Sequence, residues 1–321
     1  MEPYAIPQRD VQLCTGENEM RLFDLHCDTL TESMKVGQTI AHFSGAVSLD
    51  KAAALEDWAQ VFAVFSPDDM GPDTAWYYVN VAIDGYEAQI GSLRQGCKPL
   101  LAIENASCLA GHPERLDELA RRGVRMLSLT WNGENGLGYG AMQDARKGLK
   151  PEGEAIVRRA FELGLLLDVS HLNEAGFWDA CDIAGRLRRD TKRLPRILAS
   201  HSCCDAVNEN PRNLRDSQIR LLADLQGLIG LNLYPVHLGG DGDAAAIAAH
   251  IEHLQELGAS ASMAIGTDYD GAEVNPRYAS IDRIPLLYRD LISLGISADT
   301  LDALFWGNAA RYFNRRAVLP N

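Results

Sequence analysis

Eight short runs of apolar and β-branched residues alternate along this chain with longer segments of helical period. Each run is almost continuously apolar and ends in a polar residue; the runs span 21–28, 59–66, 98–105, 124–131, 163–171, 196–202, 228–234 and 262–270. Continuous rather than alternating hydrophobicity indicates strands buried on both faces, as in a parallel sheet covered by helices. Eight strand–helix units in this order predict a (β/α)8 TIM barrel, an α/β fold in which the C-terminal strand ends meet at one mouth.

The competing architecture is a doubly wound open sheet, which usually carries a glycine-rich phosphate loop after an early strand. No G-x-G-x-x-G or P-loop pattern occurs in this chain. Gly123, Gly164 and Gly258 each follow a helical segment just before a strand begins, as expected for helix C-termini. No linker or repeat requires a second domain, so we expect residues 1–20 to be an N-terminal extension and residues 21–321 to form one barrel domain.

The composition excludes several classes of partner. The chain has 44 Asp and Glu against 30 Lys and Arg, a formal net charge of −14. Such an acidic surface repels phosphate groups, so we expect neither nucleic acid nor an anionic membrane as a partner. The seven cysteines include no C-x-x-C pair, and the first twenty residues lack the basic and apolar segments of a secretory signal. These features predict a cytoplasmic protein.

Histidines and carboxylates stand where the predicted strands end, at positions that a barrel brings together at its mouth. Six residues share this placement: His26, Asp28, Glu104, His171, His201 and Asp268. Taken singly, His26 and Asp28 are explained equally well by a hydrogen-bonded polar strand end, and a satisfied core histidine is the better explanation of His171 and of His201. Taken together, they predict a metal site at the C-terminal ends of the strands.

The spacing in the first strand supports a metal site. Alternate strand residues point to the same face, so His26 and Asp28 project together and Cys27 points away. An imidazole and a carboxylate on one face suit a divalent ion such as zinc. His171 and His201, which end strands five and six, bring the number of candidate ligands to five. Five ligands are enough for two ions if Glu104 bridges them.

The eighth strand offers two carboxylates for proton transfer, Asp268 and Asp270. Either could accept a proton from a metal-activated water and pass it on. We favour Asp268, because Asp270 already lies in the turn beside Gly271.

The segments FDLHCDTL, LLAIENAS, LLLDVSHLN, ASHSCCDAVNENPRNL and IGTDYDG resemble, in sequence and order, those of the membrane (renal) dipeptidase family of zinc peptidases, peptidase family M19. The resemblance runs from about Arg21 to the C-terminal helix. It implies a barrel with two zinc ions (Zn2+) that hydrolyses free dipeptides, both L-Xaa-L-Xaa and L-Xaa-D-Xaa. It also implies five metal ligands: His26 and Asp28 on the first ion, His171 and His201 on the second, and Glu104 between them.

The same resemblance implies two further roles. Asp268 is expected to be the acid/base that gives a proton to the leaving amine. Arg212 is expected to pair with the C-terminal carboxylate of the substrate, a planar anion that a guanidinium fork suits.

Mammalian relatives are secreted and lipid-anchored, whereas this chain ends RRAVLPN, so we do not expect membrane attachment.

One position departs from the family. Mammalian relatives carry a histidine after the fourth strand that helps to stabilise the oxyanion, and this chain has Trp131 there. An indole donates one hydrogen bond but carries no charge, so Asn132, Asn135 or a zinc ion would have to contribute, or Trp131 only walls the pocket. Tyr234 is a further candidate for the pocket lining. The substrate range is therefore the property most open to change.

Two other functions stay open at this stage. One is a binuclear metal amidohydrolase that acts on N-acyl amino acids, lactams or lactones. The other is a non-catalytic protein that binds a ligand in the same pocket, which the complete set of ligand types argues against. The aromatic run over 76–78 fits helix packing or a homo-oligomer surface.

The remaining cysteines and histidines fit structural roles better than catalytic ones. Cys203 and Cys204 are expected to be buried free thiols, because no base is left for a thiol nucleophile once His201 is a ligand. His250 and His253 are expected to face solvent on an amphipathic helix.

Overall fold

The computed structural model describes residues 20–191 and 195–314, and eight parallel strands close into one barrel in chain order. This confirms the predicted (β/α)8 TIM barrel. The strands are β1 Arg21–Cys27, β2 Asp57–Phe65, β3 Lys98–Glu104, β4 Val124–Ser128, β5 Leu166–Asp168, β6 Arg196–Ala199, β7 Leu228–Leu231 and β8 Met263–Ile265.

Helices follow the strands around the outside of the barrel. They are α1 Thr29–Lys35, α2 Leu49–Ala52, α3 Pro72–Leu93, α4 Arg115–Arg121, α5 Pro151–Leu163, α6 Glu174–Thr191, α7 Asp216–Asp224, α8 Pro235–Leu238, α9 Ala244–Glu256, α10 Ile284–Ser293, α11 Ala298–Asp302 and α12 Asn308–Phe313. Short 3-10 turns occupy Ile40–His42, Ala106–Leu109, Ser260–Ser262 and Ile281–Arg283, and a wider π turn, Ala303–Gly307, joins the last two helices. The C-terminus of α5 follows the predicted rule, since Gly164 adopts a left-handed φ of 76° there.

Several strands are shorter than the apolar runs that predict them, since β5 and β8 have three residues each. His171 and Asp268 therefore lie in the loops that follow these strands. Their backbone groups bond elsewhere: the carbonyl of His171 accepts from the N–H of Ala141, and the N–H of Asp268 donates to the carbonyl of His26. The mouth of the barrel is thus built from loops whose backbone groups form hydrogen bonds outside the regular strand pairing.

The barrel interior is filled by apolar side chains from all eight strands, as is usual for this fold. They are Phe23, Leu25, Ala59, Val61, Ala102, Met126, Leu166, Leu198, Leu228 and Ala264. Trp306 packs against this cluster at the N-terminal end, where Arg21 and Lys98 lie over its ring. The N-terminal end is therefore closed by packed side chains, and the polar residues collect at the opposite end.

The first strand contains an irregularity that decides which side chains reach the mouth. Phe23 and Leu25 face the interior, so strict alternation would turn Cys27 inward as well. The register against β2 shifts between Asp24 and Cys27, and Cys27 packs in the outer core between barrel and helices. His26 therefore faces the mouth and Cys27 points away from it.

The buried histidine of α9 corrects one expectation. His250 was expected to face solvent, but it is fully buried: its Nδ1 accepts from the N–H of Cys204 and its Nε2 donates to the carbonyl of Leu238. The prediction was wrong because His250 links α9 to two neighbouring loops. Cys203 and Cys204 are buried free thiols, as predicted.

Within the described residues, no helix is long and apolar enough to cross a membrane. Residues 1–19 and 315–321 lie outside the described residues. The division into an extension over 1–20 and a single domain over 21–321 therefore stays a prediction.

Candidate metal centre

The six polar residues predicted at the strand ends lie together at the C-terminal mouth and are almost entirely buried. They come from five different strands or the loops that follow: His26 and Asp28 with β1, Glu104 with β3, His171 with β5, His201 with β6 and Asp268 with β8. Their donor atoms form three overlapping groups whose members lie within 4.8 Å of one another: His26–Asp28–Glu104, Glu104–His171–His201 and His26–His201–Asp268. The barrel thus gathers residues that are up to 242 positions apart, from 26 to 268.

Glu104 belongs to two of these groups, and its two carboxylate oxygens face different neighbours. Oε2 lies 3.3 Å from Nε2 of His26, whose Nε2 is also 3.5 Å from Oδ2 of Asp28. Oε1 lies 2.8 Å from Nε2 of His171 and 3.9 Å from Nε2 of His201. The carboxylate of Glu104 therefore stands between two sets of donor atoms.

Several of the donor atoms have no hydrogen-bond partner of their own. Nε2 of His171 and Nε2 of His201 face each other at 2.8 Å. Both ring nitrogens of His26 and Oδ1 of Asp28 are buried without a hydrogen-bond partner. Buried polar atoms are normally paired, and imidazole nitrogens with carboxylate oxygens are the donors that zinc and related divalent ions prefer. The residues present therefore fit a metal centre.

Burial and neighbouring charges set the protonation of these groups. Burial lowers the pKa of His171 and of His201 well below the usual value, so both imidazoles are neutral, the form that binds a metal. Burial also acts to lower the pKa of His26, but Glu104 and Asp28 outweigh it and the pKa is raised well above the usual value. Burial raises the pKa of Glu104 to about 7. A bound cation would reverse this rise by stabilising the carboxylate.

The two candidate carboxylates of the eighth strand have different surroundings. Oδ1 of Asp268 lies 3.8 Å from Nε2 of His26, and Oδ2 accepts from the amide of Asn232 at 3.0 Å. Asp270 is turned away: Oδ2 accepts from the hydroxyl of Thr29 at 2.5 Å and Oδ1 from the N–H of Ala46 at 2.6 Å. Burial raises the pKa of Asp268, which favours a group that can hold a proton. Asp268 therefore faces the other polar residues of the mouth, and Asp270 does not.

Arg212 is buried beside the centre, in the loop between β6 and α7. Its Nη2 lies 3.0 Å from Nε2 of His171, and its Nη1 is buried without a hydrogen-bond partner. The same loop is fixed to the next one, because the side chain of Asn213 donates to the carbonyl of His237 at 2.8 Å. Burial, and then the nearby guanidinium of Arg212, lower the pKa of His237 to about 3. The site thus offers a buried cation with a free donor, next to a neutral imidazole.

Trp131 and Tyr234 lie half-buried at the rim. The ring of Trp131 meets Phe65 edge-on, with centroids 5.2 Å apart, and lies 6.3 Å from the ring of His171. Tyr234 meets His237 edge-on at 5.2 Å. Both aromatic side chains therefore wall the mouth of the barrel.

The asparagines considered as replacements for the family histidine have other partners. Oδ1 of Asn132 accepts from Nδ1 of His171 at 3.1 Å, which orients that ring. The amide of Asn135 donates to Asn105 and to the carbonyl of Leu129, while its oxygen accepts from two backbone N–H groups. Asn135 is therefore occupied in shaping the loop that carries Trp131.

Two further residues of the site were not identified from the sequence. Asn232 follows β7, where a polar side chain after an apolar run was an available signal. Gly271 leaves the space that the carboxylates need, since a Cβ there would overlap Oδ2 of Asp28 and lie 2.9 Å from Oδ1 of Asp268. Only the folded chain shows that this glycine borders the site.

Comparison with known sequences identifies relatives over most of the chain. The family model of the membrane dipeptidases, peptidase family M19, matches residues 79–318. An uncharacterized protein from the pqqA 5′ region of Klebsiella pneumoniae is 29% identical over 221 residues, which cover 65% of this chain and 78% of that protein. Dipeptidase aclJ of Aspergillus oryzae is 30% identical over 219 residues, 66% of this chain and 50% of that protein. The match therefore spans only half the length of the Aspergillus relative.

Solved structures show the same fold. A metallo peptidase from Rhodobacter sphaeroides, liganded with a phosphinate mimic of the dipeptide L-Ala-D-Ala, has a TM-score of 0.80 and 20% identity, covering 92% of this chain and 99% of that one. The metallo peptidase dipeptidase AC has a TM-score of 0.81 and 20% identity, covering 93% and 99%.

Proposed function

The chain belongs to the membrane dipeptidase family, peptidase family M19, and on that premise we propose that it is a metal-dependent dipeptidase. Its substrates are free dipeptides, L-Xaa-L-Xaa and L-Xaa-D-Xaa, and it hydrolyses their single peptide bond. The observation that carries this proposal is the position of Arg212, a buried cation whose Nη2 lies 3.0 Å from Nε2 of His171, a predicted metal ligand, and whose Nη1 has no partner. A carboxylate held there would lie beside the proposed metal centre.

Two zinc ions are the proposed metals. His26 and Asp28 would hold one ion and His171 and His201 the other, with Glu104 shared between them, as its two oxygens face the two sets. Bound there, the ions would polarise the scissile carbonyl and lower the pKa of a water molecule. The mixed nitrogen and oxygen donor set supports zinc.

Asp268 is the proposed acid/base. A carboxylate oxygen of Asp268 takes a proton from the attacking water as the carbon–oxygen bond forms. It then gives that proton to the leaving nitrogen as the carbon–nitrogen bond breaks, so one amine and one carboxyl product result. The amide of Asn232 holds Oδ2 of Asp268 at 3.0 Å and fixes its orientation for both transfers.

Arg212 sets the length of the substrate. The free Nη1 is suited to the C-terminal carboxylate of a dipeptide, because a guanidinium pairs with a planar anion through two donors. A longer peptide would place an uncharged amide there and leave the buried guanidinium unpaired, which is costly. Trp131 and Tyr234 are the proposed walls for the substrate side chains.

The test is a screen of the purified protein with Zn, Mn or Co against L,L, L,D and D,L dipeptides, tripeptides and dipeptide amides, read out as released amino acids. We expect hydrolysis of dipeptides only. Turnover of tripeptides or amides at the same kcat/KM would contradict the role of Arg212, and no turnover of any dipeptide would contradict the dipeptidase. Tight ligand or metal binding without turnover would instead support a binding protein.

A second candidate function is that of a hydrolase with the same metal centre that cleaves a different bond, namely that of an N-acyl amino acid, a lactam or a lactone. Trp131 favours it, because its half-buried ring against Phe65 gives the mouth an apolar wall that suits an acyl chain. A higher kcat/KM for N-acyl amino acids than for any free dipeptide would decide for this candidate.

The cytoplasm is the proposed compartment, supported by six described cysteines that are all buried free thiols. A homo-oligomer is part of the same proposal, and size measurement in solution tests it.

A further inference from the structure

Asp168, the last residue of β5, is a buried carboxylate to which the proposed reaction gives no role. It accepts four hydrogen bonds, all from uncharged groups. Oδ1 accepts from the N–H and the hydroxyl of Ser170, at 3.0 and 2.6 Å, and from the N–H of Ser200 at 2.9 Å. Oδ2 accepts from the hydroxyl of Ser200. This carboxylate therefore joins β5 to the loop after β6.

The hydroxyl of Ser200 also contacts the adjacent histidine, since its Oγ lies 2.7 Å from Nδ1 of His201. A hydroxyl has one proton to donate, and an ionised carboxylate can only accept. Ser170 Oγ lies farther from Ser200 Oγ, at 3.2 Å, than Oδ2 of Asp168 does, so the proton of Ser200 is used on Asp168. Ser200 Oγ must then accept from His201, which places a proton on Nδ1 and leaves Nε2 with a free electron pair.

We propose that Asp168, acting through Ser200, is a positioning residue that fixes His201 in the Nδ1–H tautomer, with Nε2 free for a metal ion. The metal part of this inference rests on the proposed function. Nε2 of His201 faces Nε2 of His171 at 2.8 Å and Oε1 of Glu104 at 3.9 Å, so it points at the other donors of the second ion. Groups that orient a ligating histidine in this way affect metal affinity by about 10–100-fold.

The two histidines proposed as ligands of the second ion, His171 and His201, are oriented by different hydrogen bonds. His171 donates from Nδ1 to the amide oxygen of Asn132, a single neutral acceptor at the half-buried rim. His201 is more deeply placed and depends on a charged acceptor through one hydroxyl. Reversal of that one hydroxyl would therefore reverse the tautomer of His201 and leave His171 unchanged.

The substitution Asp168→Asn produces this reversal with little change of shape. The amide oxygen of asparagine can keep the three hydrogen bonds that Oδ1 accepts. Its NH2 group then takes the place of Oδ2 and donates to Ser200 Oγ, so the Ser200 proton turns to the shorter of its two remaining contacts, which is His201 Nδ1 at 2.7 Å rather than Ser170 Oγ at 3.2 Å. The remaining proton of His201 moves to Nε2, where it blocks metal binding.

The test uses the full chain and two readouts other than activity. Nitrogen-15 histidine spectra of the metal-free protein near neutral pH report the tautomer of each ring, with His201 assigned from its loss in His201→Gln. Calorimetric zinc titration reports the number and affinity of the bound ions. Wild type should show His201 as Nδ1–H, and Asp168→Asn should show it as Nε2–H with zinc at the second site weakened by about 10–100-fold.

Two serine variants keep the test decisive if Asp168→Asn fails to fold. Ser200→Ala removes the acceptor of the Nδ1 proton and should weaken the same zinc site. Ser202→Ala is the matched control, because the Ser202 hydroxyl is equally buried beside His201 but has no hydrogen-bond partner. An unchanged tautomer and zinc affinity in Ser200→Ala, equal to Ser202→Ala, would overturn the proposal. If wild type binds no zinc, the proposed metal centre fails, while the tautomer spectra still decide the role of Asp168.

Discussion

The guanidinium of Arg212 donates from Nη2 toward Nε2 of His171 at 3.0 Å and keeps Nη1 buried without a partner. A buried cation whose donor is unpaired costs free energy, which supports the proposed role of Arg212 in binding an anionic group of the substrate. Under the proposed function, the proximity of Arg212 to His171 would hold the substrate carboxylate beside the proposed metal centre.

Replacement of Arg212 should lower kcat/KM for dipeptides more than kcat/KM for substrates without a C-terminal carboxylate. We expect Arg212→Met to lower kcat/KM for dipeptides on the order of 10²–10³-fold, because the substrate carboxylate loses its charged partner in a buried place. The matched control is Arg215→Met, since Arg215 pairs with Glu174 at the exposed surface of the same loop. Steady-state kinetics on a dipeptide and on its C-terminal amide checks this. Equal losses on both substrates would argue against carboxylate recognition.

Asp268→Asn should stop turnover and keep the metal. The amide is isosteric but cannot accept a proton, so we expect kcat to fall by about 10²–10⁴-fold, the usual contribution of a positioned acid/base. Metal content, measured by elemental analysis after dialysis, should stay at the wild-type level.

The neighbouring carboxylate provides the control for that prediction. Asp270 bonds to Thr29 and to the backbone of Ala46, so Asp270→Asn should lower the thermal midpoint of unfolding more than kcat. If Asp270→Asn abolished turnover and Asp268→Asn did not, Asp270 rather than Asp268 would be the acid/base.

Glu104→Gln should lose metal, because the carboxylate faces both sets of donors. We expect fewer than two ions per chain and a lower thermal midpoint in the presence of zinc, since a ligand that binds only the native state adds stability by mass action. Treatment with a chelator should lower the midpoint of wild type toward that of the variant. An identical midpoint with and without the chelator in wild type would show that no stabilising metal is bound. Glu114→Gln, at an exposed position, is the control.

The sequence predicts the barrel and the six residues at its mouth for one physical reason. In a parallel barrel each strand delivers its last polar residue to the same end, so His26 and Asp268 can be grouped without knowledge of their distance. Arg212 was different, because an arginine in a loop has no periodic pattern, and only the family resemblance indicated it.

What the sequence could not predict depends on contacts between distant loops. His250 belongs to an amphipathic helix, and only the folded chain shows that it bonds Cys204 and Leu238. The space that Gly271 leaves for Asp28 has no local signal either. The direction of the hydrogen bonds around Asp168 follows from the positions of two hydroxyl groups on neighbouring loops.

Trp131 should act as a wall. Its contacts are aromatic, with Phe65 at 5.2 Å and the ring of His171 at 6.3 Å, so Trp131→Phe should keep kcat within about threefold, while Trp131→Ala should raise KM about tenfold through lost apolar contact. Kinetics on dipeptides with small and large side chains checks this. If the phenylalanine variant lost as much kcat as the alanine variant, the indole N–H would have a part in the reaction.

Asp290 gives a prediction for pH dependence away from the metal centre. Its carboxylate accepts from Arg277 at 2.5 and 2.9 Å and from the hydroxyl of Tyr278 at 2.5 Å, and these hydrogen bonds lower its pKa to about 2. A lowered pKa in the folded state stabilises the protein above the unfolded value of 3.8, and that stability is lost as the pH falls toward 2. Because the Arg277 side chain is 56% exposed, we expect Asp290→Asn to cost no more than about 1 kcal/mol near neutral pH.

Urea unfolding of wild type, Asp290→Asn, Arg277→Met and the double variant checks this prediction. The coupling free energy between the two side chains should be positive near neutral pH, should shrink as the pH is lowered below 4, and should fall in 1 M salt, because the pair is screened at the surface. A coupling that stayed constant from neutral pH to pH 3 would mean that the ionised form of Asp290 is not the one that holds the loop after β8 against α10.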